Sequence, residues 1–204
     1  MKIYHFCGER PERGRFFGES LADYLEKSGL ELPETVSGES IKIKNGPHGK
    51  PYFGDPALEG IFFSRSHSKD HEVVCFSDSE IGVDCEDTDA RPGIGKRYKS
   101  IAGRCFTDDE LEYVMKDDGD PITRFFEVWT AKEAYMKYTG NGFSEGFQTF
   151  SVFKMPGVAI ETGRLNDAPN VIYSVCVAKS FDRHCEELKA TKQSNSNAVK
   201  PVRG

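Results

Sequence analysis

Glu72-Val73-Val74-Cys75-Phe76-Ser77-Asp78-Ser79-Glu80-Ile81-Gly82-Val83-Asp84-Cys85-Glu86-Asp87 holds two short apolar runs separated by a polar turn. Runs of this length, rich in Val, Ile and Phe and bounded by Ser, Asp and Gly, predict strands over 72–76 and 81–85, joined as a hairpin. Upstream, Ile61–Ser66 and Lys2–Cys7 read as further strands, with a short one near Ile41–Lys44. Phe16–Lys27 has helical periodicity, with Phe17, Leu21, Tyr24 and Leu25 on one side and Gly29 as a stop. Downstream the pattern turns helical. Thr107-x-x-Glu110 is a capping-box signature. Asp120 suits an N-cap and Pro121 the first helical position, so a helix is predicted to about Thr139, ended by Gly140. Gln148–Phe153 and Val171–Ala178 read as the last strands. The order predicts an α+β chain of two halves, 1–86 and 87–185, followed by a disordered Lys-, Ser- and Asn-rich tail over 186–204.

The 204 residues include 37% hydrophobic and 29% charged side chains, as in a soluble globular protein. No apolar run approaches the length of a membrane span, and the N-terminus lacks a signal-peptide pattern. A formal net charge of −6 disfavours general nucleic-acid binding. None of the six cysteines forms a C-x-x-C pair, so zinc is unsupported; Cys75, Cys85 and Cys176 sit in strand-like runs as buried free thiols, in keeping with a cytoplasmic setting. A monomer is expected.

Chemistry concentrates in four places. Asp84 and Glu86, two apart on a strand, point the same way and repel each other unless a cation lies between them. Alone, the pair reads more simply as an acidic strand end. In the helix Phe125–Lys137, Trp129, Glu133 and Lys137 follow at i, i+4 spacing, which puts Glu133 among residues that want burial; Glu127 and Thr130 take the solvent-facing positions. Ser64-Arg65-Ser66-His67-Ser68 offers hydroxyls and a histidine to a phosphate, or is a polar turn. Gly49-Lys50-Pro51 is a turn with one cation. Together the carboxylates, histidine and cations suit a magnesium–diphosphate site, since magnesium prefers oxygen ligands.

In this order, G-K-P at Gly49–Pro51, S-H-S at Ser66–Ser68, G-V-D-x-E at Gly82–Glu86 and W-x-x-K-E-A-x-x-K at Trp129–Lys137, the motifs resemble those of the 4′-phosphopantetheinyl transferases, in particular the large, pseudo-dimeric Sfp-type group. The likeness covers roughly residues 41 to 153. It implies two similar α+β halves with coenzyme A in the cleft between them. It also implies transfer of phosphopantetheine to a serine of an apo acyl or peptidyl carrier protein, with release of 3′,5′-ADP. By position it implies Asp84, Glu86 and Glu133 as magnesium ligands. Lys137 would lie beside the diphosphate, Lys50, Ser66 and His67 would contact the phosphates, and Arg15 would belong to the same region. Glu133 is either the base that takes the serine proton or a metal ligand only. The segment before Arg15 is shorter than in many members, and Arg65 stands where an apolar residue is usual. A magnesium-dependent diphosphate hydrolase and a non-catalytic carrier-binding protein are the alternatives; no P-loop is present. Carrier docking is expected near Gly93–Phe106, driven by Ile94, Tyr98, Ile101 and Phe106 more than by Arg97, Lys99 and Arg104; the alternative is that these apolar residues simply pack a helix onto its own domain.

Overall fold

The computed structural model describes residues 1–9, 13–31, 41–142 and 146–179. The expected tail, 186–204, and Cys185 lie outside the described residues. The elements run β1 (Lys2–Cys7), α1 (Arg13–Lys27), β2 (Ile43–Asn45), β3 (Pro51–Phe53), β4 (Phe62–Ser68) and β5 (His71–Ser77). They continue with β6 (Ile81–Asp87), α2 (Ile94–Cys105), α3 (Asp108–Met115), α4 (Pro121–Thr139), β7 (Val158–Arg164) and β8 (Val171–Ala178). No helix among the described residues is long and apolar enough to cross a membrane.

Two three-stranded antiparallel sheets form, ordered β1-β5-β4 and β6-β8-β7, with β2 and β3 as a separate two-stranded ribbon. Each sheet carries its last strand in the middle, and each has its helix or helices between its first and second strands. This pairing corrects one expectation. The two strands of the opening stretch do not form a hairpin: β5 pairs with β4 and β1, while β6 pairs with β8. β6 belongs along its whole length to the second sheet. Both strands are buried on both faces, so alternation carried no sign of which neighbour each one takes. Of the last two strands expected, Val171–Ala178 forms with those bounds and Gln148–Phe153 does not. Phe147–Thr149 is a 3₁₀ turn, and the edge strand is Val158–Arg164, whose polar Glu161 and Thr162 dilute its apolar pattern.

One face of the first sheet packs on α1 through Tyr4, Phe63, Val74 and Phe76 against Phe16, Phe17, Leu21 and Leu25. Its other face contributes Ile3, Val73 and Cys75 to a core shared with Ile81, Val83 and Cys85 of β6 and with Val171 and Val175 of β8. Cys75, Cys85 and Cys176 are buried free thiols. The remaining face of β6 meets α4. A Cβ added to Gly82 would lie 2.0 Å from the Ala134 carbonyl oxygen and 2.4 Å from the Tyr138 nitrogen, so only glycine lets the helix approach this closely.

Helix α4 begins and ends where the residue chemistry demands. The Asp120 side chain accepts from the Ile122 and Thr123 N–H groups, and Gly140 takes the left-handed conformation at φ 70°. In α3, Glu110 Oε2 accepts from the Thr107 N–H at 2.9 Å, the expected backward reach of a capping box.

β4 and β6 belong to different sheets, and serines join them. Ser64 Oγ accepts from the Val83 N–H at 3.0 Å, and Ser66 Oγ donates to Asp84 Oδ1 at 2.7 Å. Ser68 Oγ accepts from the Asp87 N–H at 3.0 Å and donates to Glu86 Oε2 at 2.8 Å. The side chains that hold the two halves together thus also hold two of the candidate carboxylates.

Candidate active site

β6 supplies Asp84 and Glu86, both buried, and α4 supplies Glu133 and Lys137. Lys137 Nζ donates to Asp84 Oδ1 at 2.8 Å, sharing that oxygen with Ser66. Burial pushes the Asp84 carboxyl up; the Lys137 charge and the hydrogen bonds from Lys137 and Ser66 pull it back, and the Glu86 charge adds to the rise. Glu133 is pushed up to about 7, first by burial and then by the charge of Asp84; Lys137 opposes this and Glu86 adds to it. The three carboxylates therefore sit within one another's fields.

Glu133 and Lys137 line a cavity of about 250 Å³, together with His48, Lys50, Arg65 and Gly140. Lys50 arrives from β3 in the first half. Its Nζ donates to a carboxylate oxygen of Glu80 and, at 2.7 Å, to the Tyr138 carbonyl. A second, larger cavity of about 510 Å³ also reaches His48, Lys50, Phe63 and Gly140, and is otherwise walled by the turn before β3, β3 itself, residues 58–62, Glu80, Thr139 and Asn141.

The structure thus brings Lys50, Glu133 and Lys137 to one cavity, with Asp84 and Ser66 joined to it through Lys137. His67 lines a different, open concavity of about 560 Å³, with Ser68, Lys69, Asp89, Ala90 and Arg91. Arg15 lies on α1, largely exposed, with its Nε 2.8 Å from Glu19 Oε1, and lines none of these hollows. Glu86 is gripped by a residue that the motif reading passed over. Arg91 Nη2 reaches Oε1 at 2.5 Å and Nε reaches Oε2 at 3.2 Å. The hydroxyls of Ser64 and Ser68 were also missed as partners of β6. Their sign in the sequence is serine at every second position of a strand, which lines one face with hydroxyls.

Among the described residues, no three His, Cys, Asp or Glu side chains come together closely enough to hold a metal ion. Two of the three candidate carboxylates are held by cations of the chain itself, Asp84 by Lys137 and Glu86 by Arg91. The chemistry of the set still fits a hard divalent cation. It is oxygen-only, with Asp84 and Glu86 buried and Glu133 half-buried, and the groups repel one another; Cys85 lies with Ile81 and Val83 in the apolar core.

Lys132 is the other residue whose place the sequence did not disclose. Beside Glu133 on α4, it is fully buried, 2.8 Å from the equally buried Glu110. Its Nζ also donates to the Phe147 and Phe150 carbonyls, both at 2.6 Å, and Glu110 Oε1 accepts from the Val152 N–H at 2.8 Å. Thr130, expected to face solvent, is buried as well, with its Oγ1 2.7 Å from Ser174 Oγ on β8.

Fold and site together define an α+β protein with a cation-flanked acidic cleft where two like sheets meet. The family model of the 4′-phosphopantetheinyl transferase superfamily matches residues 80–191, and the chain belongs to that superfamily. It is similar to the 4′-phosphopantetheinyl transferase Sfp of Bacillus subtilis strain 168, with 30% identity over 133 residues, 65% of this chain and 56% of the relative. It is similar also to the 4′-phosphopantetheinyl transferase psf-1 of Bacillus pumilus, 29% identical over 140 residues, 68% of this chain and 55% of the relative. The 4′-phosphopantetheinyl transferase HetI of Nostoc sp. PCC 7120 is 34% identical over 113 residues, 54% of this chain and 46% of the relative. The chain spans about half the length of the curated relatives it matches.

Proposed function

We propose that this chain transfers the 4′-phosphopantetheine group of coenzyme A to a serine hydroxyl of an apo acyl or peptidyl carrier protein, releasing 3′,5′-ADP, with magnesium. The observation that carries the reading is the meeting of Lys50, Glu133 and Lys137 at one cavity, with Asp84 tied to it through Lys137, in a chain of this superfamily. Lys50 and Lys137 bring positive charge to the cavity from opposite halves, as a diphosphate requires. Glu133, titrating near neutrality, is matched to taking the proton of a serine hydroxyl, a weak nucleophile until deprotonated; its second candidate role is metal ligation. Asp84, Glu86 and Glu133 would hold the magnesium, which when bound offsets charge on the phosphoryl oxygens. The shared strand order of the two sheets supports a pseudo-dimeric architecture with coenzyme A in the cleft, and we read the protein as a cytoplasmic monomer.

Incubation with apo carrier protein, coenzyme A and magnesium should add the phosphopantetheine mass to the carrier. Asp84→Asn should cut the rate by roughly 100-fold or more with the circular dichroism spectrum unchanged. Cleavage of coenzyme A with the carrier left unmodified would overturn the reading, as would a fully active Asp84→Asn in chelator.

A further inference from the structure

Glu86 is committed on both oxygens. Oε2 accepts from Ser68 Oγ at 2.8 Å and from Arg91 Nε at 3.2 Å, while Oε1 accepts from Arg91 Nη2 at 2.5 Å. The serine is buried in the seam between the sheets; the arginine is not, its side chain being 56% exposed against 9% for Glu86. Arg91 follows the 3₁₀ turn Thr88–Ala90 that leaves β6, and it opens onto the concavity with His67 and Lys69. A carboxylate oxygen held by a planar, two-pronged guanidinium cannot at the same time be offered to a metal ion along the same direction. One must leave for the other, and of the two groups on Glu86 only Arg91 has solvent to retreat into.

We propose that Arg91 is the residue that sets how tightly this site holds a divalent cation, because its guanidinium and the cation take Glu86 Oε1 in turn. The inference rests on the reading of Asp84 and Glu86 as metal carboxylates. The guanidinium keeps a buried negative charge paired when no cation is there, and so spares the fold the cost of an uncompensated carboxylate. The same pairing must be broken before Oε1 can ligate, which weakens metal binding by the worth of the pair. Lys137 on Asp84 is a different case. It makes a single-point contact from a flexible stem and already lines the cavity, so moving off Asp84 takes it toward its own proposed partner.

Manganese(II) titrations of the full chain, followed by calorimetry or by the spin resonance of free Mn²⁺, test this without any transfer reaction. Arg91→Gln should bind Mn²⁺ roughly fivefold more tightly than the native chain, a modest figure because the guanidinium is half exposed. Arg91→Lys, which keeps the charge and loses the two-pronged grip, should fall between them. The gain should persist when KCl is raised from about 0.1 M to about 0.5 M, since screening removes only a through-space effect. Without metal, Arg91→Gln should melt below the native chain, and saturating Mn²⁺ should close the gap. Equal or weaker Mn²⁺ binding by Arg91→Gln would overturn the proposal, as would a gain that vanishes at the higher salt, or a native chain that binds no Mn²⁺. A chain that shows the expected pattern yet leaves apo carrier unmodified would sink the transfer reading alone.

Discussion

Lys132 and Glu133 are neighbours in sequence with opposite fates. Glu133 opens onto the cavity, whereas Lys132 is sealed against Glu110 and two carbonyls. Burial disfavours the lysine's charge and the Glu110 pairing opposes that, so the net direction is downward. Lys132→Met should cost about 3–5 kcal/mol in urea unfolding, because it strands the Glu110 carboxylate. Adding Glu110→Gln should recover part of that loss, and a double variant no more stable than the single one would count against the pair. The stripe Trp129, Glu133 and Lys137, read from the sequence as wanting burial, is only half-buried, and the helix seals Thr130 and Lys132 instead. The sequence could not place Lys132, because its partner lies 22 positions away on another helix and i, i+4 reasoning does not reach it.

At the scale of elements, the G-V-D motif is a packing device before it is a chemical one. Gly82 removes the side chain that would strike α4, and the helix then sits near enough for Lys137 to reach Asp84. Gly82→Ala should therefore destabilise the protein by about 3 kcal/mol and lower activity together, measured by unfolding and by the carrier mass assay. A fully active, fully stable Gly82→Ala would refute the close approach. Helix α3 offers a pH test. Asp109 accepts from Thr107 Oγ1 at 2.6 Å, from Ser151 Oγ at 2.8 Å and pairs with Lys154 at 3.0 Å; these contacts hold its carboxyl well below the usual carboxylate range. A folded value below the unfolded one stabilises above the unfolded pKa of about 3.9 and loses that contribution as pH falls below it. Asp109→Asn should thus melt lower than the native chain at pH 7, and the difference should shrink below about pH 4. Helix limits were legible because Asp120, Pro121 and Gly140 are local signals. Strand partners were not, because pairing is decided by residues far apart in the chain.

In the molecule as a whole, the apolar residues of the 93–106 region pack onto their own domain. Tyr98, Ala102 and Phe106 of the 93–106 region turn inward onto Phe125 and Val114, and Ile94 and Ile101 pack against the same cluster. What α2 leaves in water is Lys96, Arg97, Lys99 and Arg104. The apolar side chains of this helix pack mostly on its own core, so carrier docking there would rest on exposed charge and call for an acidic partner surface. The carrier KM should then rise with salt, roughly tenfold between about 0.05 M and 0.5 M, as the Debye length shortens. A KM that stays flat in KCl, or is unmoved by Arg97→Gln with Lys99→Gln, would send docking elsewhere. The chain's overall net charge of −6 gave no hint of this local face, because composition sums what the fold separates.

Serine recurs at 64, 66 and 68, so the seam it makes with β6 repeats itself. Slide β4 by two residues and Ser66 stands where Ser64 stood, Ser68 where Ser66 stood; two of the three rungs could be remade. The seam adheres but carries no address. The address is written on the opposite face of the same strand, where Phe63 lies 4.6 Å from the Phe53 ring and 5.1 Å from the Phe17 ring. The same slide would push Arg65 into that aromatic nest. One strand thus divides two tasks between its faces, adhesion on the even side and alignment on the odd. An error in the second would put another serine in Ser66's place beside Asp84 while the first still looked intact.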